Sequence, residues 1–267
     1  MKYKQQTIIV TGASGFIGKS FLEYTKDRFF IIGIARRSGH EAGIPYHPNI
    51  QWIQWDISNG DLINEIADYI KEQGGADFVV HLAGYYDYDY KDKPEYFSTN
   101  IQGTKNVLEL SKLLQVKRFI FASSVAACEF PAKGKVVDEL TPLDARYSYA
   151  ESKRKGEELL QEYSEYVPGS SVRFAAIFSD WCEFAPLYKF VSTWLSKHWN
   201  HNILGGKGKS AITYLHIIDL IKLLLTIIKK SDTLPAYDTY IASPDTPVNH
   251  LDLSPLPGNI LARAKNP

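Results

Sequence analysis

Tyr149 and Lys153 stand four residues apart in YAESK, so on a helix they share one face. A phenol is too weak an acid to exchange protons near neutrality, and a neighbouring ammonium favours the phenolate and brings it into range. Such a pair suits proton transfer at an oxygen whose carbon is oxidised or reduced by hydride. Ser124, in FIFASSVA, ends an apolar run and is placed to hydrogen-bond that same oxygen. By itself YxxxK is a weak signal in a chain with 17 tyrosines. The serine at a strand end, on the carboxyl edge where open α/β sheets bind ligands, gives the pair its weight.

A second group of residues would hold a dinucleotide. Directly after the first apolar run comes TGASGFIG, Thr11 to Gly18, followed by KSFLEY. Gly12 permits a tight turn, Gly15 lets backbone approach a pyrophosphate, and Gly18 lets helix and strand pack closely. The second run ends IIGIARRSGH, with no carboxylate to take the adenosine ribose of NAD. Arg36 and Arg37 stand where a 2′-phosphate would lie, which favours NADP(H) over NAD(H). The competing reading is a solvated arginine pair, or one arginine stacked on adenine. Asp56, in QWIQWDIS, is either an acceptor for the adenine amino group or a helix cap. In VVHLAGYY, small Ala83 and Gly84 fit a close passage of the dinucleotide, and His81 reads as a structural histidine rather than a base.

These residues need a scaffold, and the chain supplies one in alternating pattern. Thr7 to Thr11, Phe30 to Ala35, Ile50 to Trp55, Phe78 to Leu82, Arg118 to Ser123 and Ser171 to Phe174 predict six buried strands. Helical spacing predicts a helix over Ser98 to Leu114, another from Ser148 through ESKRKGEELLQEY, and later ones at Leu187 to Lys197 and Ile217 to Lys229. A Gly-rich loop falls at Gly205 to Gly208, and SPLPGNILARAKNP reads as a loop or loosely attached tail. The fold class is therefore α/β, a Rossmann doubly wound parallel sheet with a small C-terminal lobe that binds substrate. Residues 1–175 with about 211–245 are expected to form the dinucleotide domain, and 176–210 with 246–267 the lobe.

Composition narrows the partners. Basic and acidic residues number 30 each, so no global field draws nucleic acid or an anionic membrane. Two cysteines, Cys128 and Cys182, are too few for a disulfide framework and lack metal-ligand spacing, which points to a reducing, cytoplasmic setting and no metal. No apolar stretch is long enough to span a membrane, and MKYKQQTIIV opens without a signal-like core. The expected partner is a small-molecule substrate.

In TGASGFIG, WDI, HLAG, STNIQGT, FASS, YAESK and YLHIIDL the chain resembles the extended short-chain dehydrogenase/reductases, specifically the NAD-dependent epimerase/dehydratase group, over roughly residues 5 to 245. The resemblance places Ser124, Tyr149 and Lys153 in the catalytic positions and adds Asn100 of the central helix. Through the same motifs it adds Ser14, Phe16, Ile17, Ile57 and Leu82 to the cofactor contacts, and it implies a homodimer formed by the Ser98 and Ser148 helices. The chain departs from that family's pattern at two polar contacts to a sugar diphosphate, where Ala176 and Ile212 stand, and its second lobe ends early after VNHLDL. Tyr85, Tyr86, Tyr88, Tyr90, Trp181, Phe184, Tyr188 and Trp194 supply aromatic surface instead, as pocket walls or as packing. Tyr85, Tyr86, Ser124, Ser179 and Trp181 are the candidate substrate contacts. Epimerisation, dehydration and carbonyl reduction all begin from this chemistry, and the arginine pair tilts the balance towards reduction.

Overall fold

A computed structural model describes residues 5–87, 91–129, 136–201, 203 and 211–254. The six apolar runs form β1 (Thr7–Thr11), β2 (Phe30–Ala35), β3 (Ile50–Gln54), β4 (Phe78–His81), β5 (Arg118–Ser124) and β6 (Gly169–Phe174). Every residue of β1, β4, β5 and β6 is buried, which is why these runs carry no polar alternation. They pair in parallel in the order β6-β5-β4-β1-β2-β3. A seventh strand, Tyr237–Ala242 (β10 in chain order), lines the β6 edge.

Helices α1 (Phe16–Thr25), α2 (Ile63–Glu72), α3 (Gly103–Leu114) and α4 (Ser148–Tyr163) cross between the strands. Ile66 and Ile70 of α2, Val107, Leu108 and Leu110 of α3, and Leu160 of α4 close a core with Ile9, Ile32, Ile34, Val79, Phe119 and Phe121. Burying each such side chain contributes about 1.5–3 kcal/mol. At Gly156 the fit is tight: a Cβ there would run into the Phe121 ring, so α4 rides directly on β5. Because β1 has β2 on one flank and β4 on the other, the order reverses between β1 and β4 and opens a crevice at their carboxyl ends.

The chain divides into two units, Met1–Phe174 with Ile221–Ile241 and Ala175–Leu220 with Ala242–Pro267. In the second, β7 (Ala176–Phe178) pairs in parallel with β9 (Tyr214–His216), and β8 (Ala211–Ile212) pairs antiparallel with β11 (Val248–Asn249). Its helices α5 (Ala185–Leu195) and α7 (His250–Leu253) bring Phe190 within 4.6 Å of His250 and 5.6 Å of Trp194, ring to ring. Helix α6 (Ile217–Lys230) spans the boundary of the two segments. Among the described residues no helix is long and apolar enough to cross a membrane.

Several elements differ from their sequence pattern. Ser98 to Leu114 predicts one α-helix, but its first part is a π-helical stretch, Tyr96–Gln102, leading into α3. That wider turn carries Asn100 at 2% exposure, and single π turns of this kind collect at functional sites. Strands β3 and β4 each stop one residue early, β5 runs on to Ser124, and β6 begins at Gly169. Helix α5 starts at Ala185, with Pro186 in its first turn, and ends at Leu195 because Ser196 is extended. Tyr88, Tyr90, Gly205 to Gly208 and the tail from Pro255 lie outside the described residues.

Candidate active site

The glycine turn after β1 is shaped by contact with the turn after β4. Gly12 has φ of 66°, and a Cβ on it would lie 2.7 Å from the Ala83 nitrogen, so a side chain is excluded twice over. A Cβ on Gly18 would lie 2.7 Å from the Ala13 Cα, which presses α1 against the turn. Gly15 is different. It is exposed, its φ is −81°, and the nearest atom to a Cβ would be the Gly12 carbonyl oxygen at 3.3 Å. Among the described residues only that carbonyl comes within 4 Å of a Cβ on Gly15, the N-cap of α1, and no described side chain caps that helix end. Its first N–H groups and the positive end of its dipole therefore face an open cradle that suits a diphosphate. Ser14, Phe16 and Ile17 flank it, half-buried.

His81 knits the two turns together. It is fully buried, its Nδ1 is 2.7 Å from Thr11 Oγ1, and its Nε2 is 3.0 Å from Thr104 Oγ1. Burial, with the Lys153 charge nearby, pushes its pKa down to about 3, so the ring is neutral. Thr11 Oγ1 also accepts the Ala83 N–H at 3.3 Å, and Leu82 N–H reaches the Thr11 carbonyl at 3.2 Å.

Past β2, the guanidinium groups of Arg36 and Arg37 are exposed while their carbonyls accept from Gln54 and Trp52 side chains, both at 2.9 Å. Arg37 Nη2 donates to the Ser14 carbonyl at 3.2 Å, which draws this guanidinium to the glycine turn. Asp56 is exposed, and its Oδ1 accepts from the Ser58 N–H at 3.0 Å and hydroxyl at 2.8 Å, an Asx turn. Ile57 is buried, packs on Gly103, and gives its carbonyl to Asn106 at 2.7 Å.

The proposed proton-transfer residues meet beside β4 and β5. Lys153 is 6% exposed, its Nζ donates to the Ala122 carbonyl at 2.8 Å, and it lies 5.7 Å from the centre of the Tyr149 ring. Burial brings its pKa down to about 8, against the opposing pull of Glu157. A Cβ on Gly84 would lie 3.3 Å from this Nζ and 3.6 Å from Asn100 Oδ1, so Gly84 packs directly against both groups and a side chain there would press slightly on the ammonium. Asn100 holds Tyr85 at both ends, accepting its N–H at 2.6 Å and donating to its carbonyl at 3.0 Å. Its amide also donates to Ser152 Oγ at 2.9 Å. Ser124 Oγ accepts the Ala126 N–H at 3.1 Å, an arrangement that leaves its own proton to donate, whereas the buried Ser123 hydroxyl has no hydrogen-bond partner among the described residues.

Aromatic rings surround Tyr149: Tyr86 at 4.5 Å, Tyr96 at 6.2 Å and Tyr147 at 6.3 Å, centre to centre. Tyr85 packs edge-on to Tyr96 at 5.2 Å and donates its hydroxyl to Asp87 at 3.0 Å. Ser179 and Trp181 belong to the second unit, where Ser179 Oγ bonds Glu183 at 2.5 Å and accepts the Trp181 N–H at 3.1 Å, and the Trp181 ring is 86% exposed. Sequence reasoning missed Ser152, Tyr96 and Tyr147. Ser152 had a signal, since it stands three residues after Tyr149 in YAESK and so close to its face of the helix.

This fold and this arrangement define an α/β protein of the Rossmann type, in the extended short-chain dehydrogenase/reductase class. The chain belongs to the NAD dependent epimerase/dehydratase family, whose sequence pattern it matches over residues 8–242. It is similar to an N-acetyl-alpha-D-glucosaminyl-diphospho-ditrans,octacis-undecaprenol 4-epimerase of Escherichia coli O157:H7, 32% identical over 60% of this chain and 44% of that protein. It is also similar to a dTDP-D-glucose 4,6-dehydratase of Dictyostelium discoideum, 25% identical over 93% of this chain and 61% of that protein. The chain spans about half, or less, of the length of the first curated relatives it matches. Among solved structures, the Bordetella bronchiseptica enzyme WbmG in complex with NAD shares the fold, with a TM-score of 0.78 and 21% identity over 94% of this chain and 77% of that one.

Proposed function

We propose that this chain is an NAD(P)-dependent oxidoreductase of the epimerase/dehydratase family, acting at the carbinol or carbonyl carbon of a sugar-like or small ketone substrate. The observation that carries it is the meeting of Tyr149, Lys153 and Asn100 beside Gly84, at the edge of the crevice onto which the glycine cradle opens. Gly12, Ser14, Gly15, Phe16, Ile17 and Gly18 would hold the diphosphate, with Asp56, Ile57, Leu82, Ala83 and Gly84 along the rest of the dinucleotide. The bound cofactor supplies or takes up hydride. Ser124 donates its hydroxyl to the substrate oxygen, Tyr149 gives or receives the proton there, and the Lys153 ammonium favours the phenolate. Tyr85, Tyr86, Ser179 and Trp181 are the substrate contacts in this reading.

Tyr149→Phe removes only the proton path. It is expected to lower turnover on a panel of nucleotide sugars and hydrophobic ketones by about 10²–10⁴-fold, with NAD(P)H affinity unchanged by tryptophan fluorescence. Equal turnover in the variant would remove Tyr149 from the role.

A second reading, an NADPH-dependent carbonyl or hydroxysteroid-type reductase, is favoured by the exposed guanidinium pair and by Arg37 lying against the Ser14 carbonyl. Paired guanidinium groups suit a dianionic 2′-phosphate better than a neutral hydroxyl. Titration should find NADPH bound at least about tenfold more tightly than NADH, and Arg37→Ala should erase most of the difference. Tighter NADH binding by the unaltered protein sinks the NADP preference.

A further inference from the structure

Among the described residues Glu157 is the single fully buried carboxylate, against buried cations at Lys153, Arg118 and Arg173. Arg118 is provided for elsewhere, by carbonyls and by Asp238. Glu157 and Arg173 face each other as a two-pronged pair, Nε to Oε1 at 3.1 Å and Nη2 to Oε2 at 3.0 Å, with side chains 6% and 7% exposed. Arg173 is itself fixed, since its Nη1 donates to the carbonyls of Thr141 at 2.9 Å and Glu139 at 3.3 Å in the segment that leads into α4. Glu157 lies one helical turn beyond Lys153, on the buried face of α4 that also holds Gly156 and Leu160.

We propose that Glu157, held in place by Arg173, is the counter-charge that keeps Lys153 an ammonium beside Tyr149, which makes both of them positioning residues for the proton-transfer pair. This rests on the role given to Tyr149 above. An ammonium taken out of water gives up its proton unless a negative charge compensates it. Among the described residues the other groups packed around Lys153 supply none. On β4, His81 is neutral; on β5 stand the Ala122 carbonyl and the Phe121 ring, 5.2 Å from Nζ; from the central helix comes the uncharged Asn100. Around Glu157, burial pushes the Cys128 thiol and the Tyr237 phenol up, so both stay protonated and Arg173 is the facing charge. Burial pulls Lys153 down and Glu157 pulls it back up, in agreement with the geometry. The set Arg173, Glu157 and Lys153 carries one net positive charge, which an ionised Tyr149 would neutralise.

The test follows the Lys153 titration directly by NMR in protein carrying ¹³C-labelled lysine, the signal being assigned by its loss in Lys153→Met. Glu157→Gln should weaken the proton affinity of Lys153 about tenfold or more, moving its midpoint down by about one pH unit. A purely structural carboxylate leaves that midpoint where it was, and an unmoved midpoint in a folded variant overturns the proposal. If Glu157→Gln does not fold, the double variant Glu157→Met with Arg173→Met removes both charges while keeping an apolar contact, and a smaller downward movement is expected, since the repulsion of Arg173 goes with the attraction of Glu157; no movement at all overturns the proposal. No substrate is needed for this measurement. A shifted midpoint with full turnover in Tyr149→Phe would keep the charge pair and discard the catalytic reading.

Discussion

A lysine whose ammonium is lodged against the Ala122 carbonyl holds its proton less firmly than one in water, and burial brings the Lys153 pKa down to about 8. The sign has a direct consequence for rate. In the proposed mechanism carbonyl reduction needs Lys153 charged and Tyr149 protonated, so the competent state is full well below pH 8 and lost as pH rises through it. A pH profile of kcat/KM for reduction should fall about tenfold per unit on its alkaline side, with a midpoint near 8. A flat profile from pH 7 to 10 would show that the ammonium is not required. At this scale the sequence was informative where spacing carried the chemistry, as in Tyr149 with Lys153. It was silent on Glu157, because a glutamate in ESKRKGEELL looks like one more charge on a solvated face until Arg173 arrives from β6.

Among the elements, the glycine turn separates the needs of the fold from those of a ligand. Gly12→Ala forces a side chain onto a positive φ and against the Ala83 backbone, so it should destabilise the protein by about 2 kcal/mol or more, read as a lower urea midpoint. At Gly15 the backbone is ordinary and only the Gly12 carbonyl must yield slightly, so Gly15→Ala should fold with nearly unchanged stability. Its methyl group would stand over the open end of α1, and dinucleotide affinity should drop at least tenfold. Loss of stability without loss of binding would show that the cradle is a packing device. Strands β1 to β6 were legible as short runs between turn residues, but β3 is not the buried strand its pattern predicts: it ends the sheet order, is only half-buried, and Gln54 is exposed. β10 was not legible, since YDTYIA mixes polar and apolar residues and ends the sheet order, with a partner strand on one flank only among the described residues. The π turn at Tyr96–Gln102 was equally hidden: hydrophobic spacing describes how a helix meets its core, and the widening is tied to the bonds of Asn100 with Tyr85 and Ser152.

For the molecule as a whole, the first unit is built from two separated stretches of chain that Arg118 joins. Its guanidinium, 1% exposed, donates to Gly169 and Ser170 and to the carbonyls of Ser231, Leu234 and Pro235, at 2.9 to 3.3 Å. A lysine has one nitrogen where these acceptors need a planar fork. Arg118→Lys should therefore cost about 3 kcal/mol, seen as a lower thermal midpoint, with cofactor affinity little changed because Arg118 opens β5 and the crevice lies at its other end.

The clamp also imposes an order on synthesis. Arg118 leaves the ribosome long before residues 231 to 238, which supply three of its five hydrogen-bond acceptors and the Asp238 carboxylate. Until those arrive, a sheet closed over Arg118 would enclose a cation with too few acceptors, so the nascent chain gains by leaving this end of β5 wet. Completion of the sheet is thereby deferred until a stretch 113 residues and more beyond Arg118 has been made, and until then the half-made strands keep an open, aggregation-prone edge.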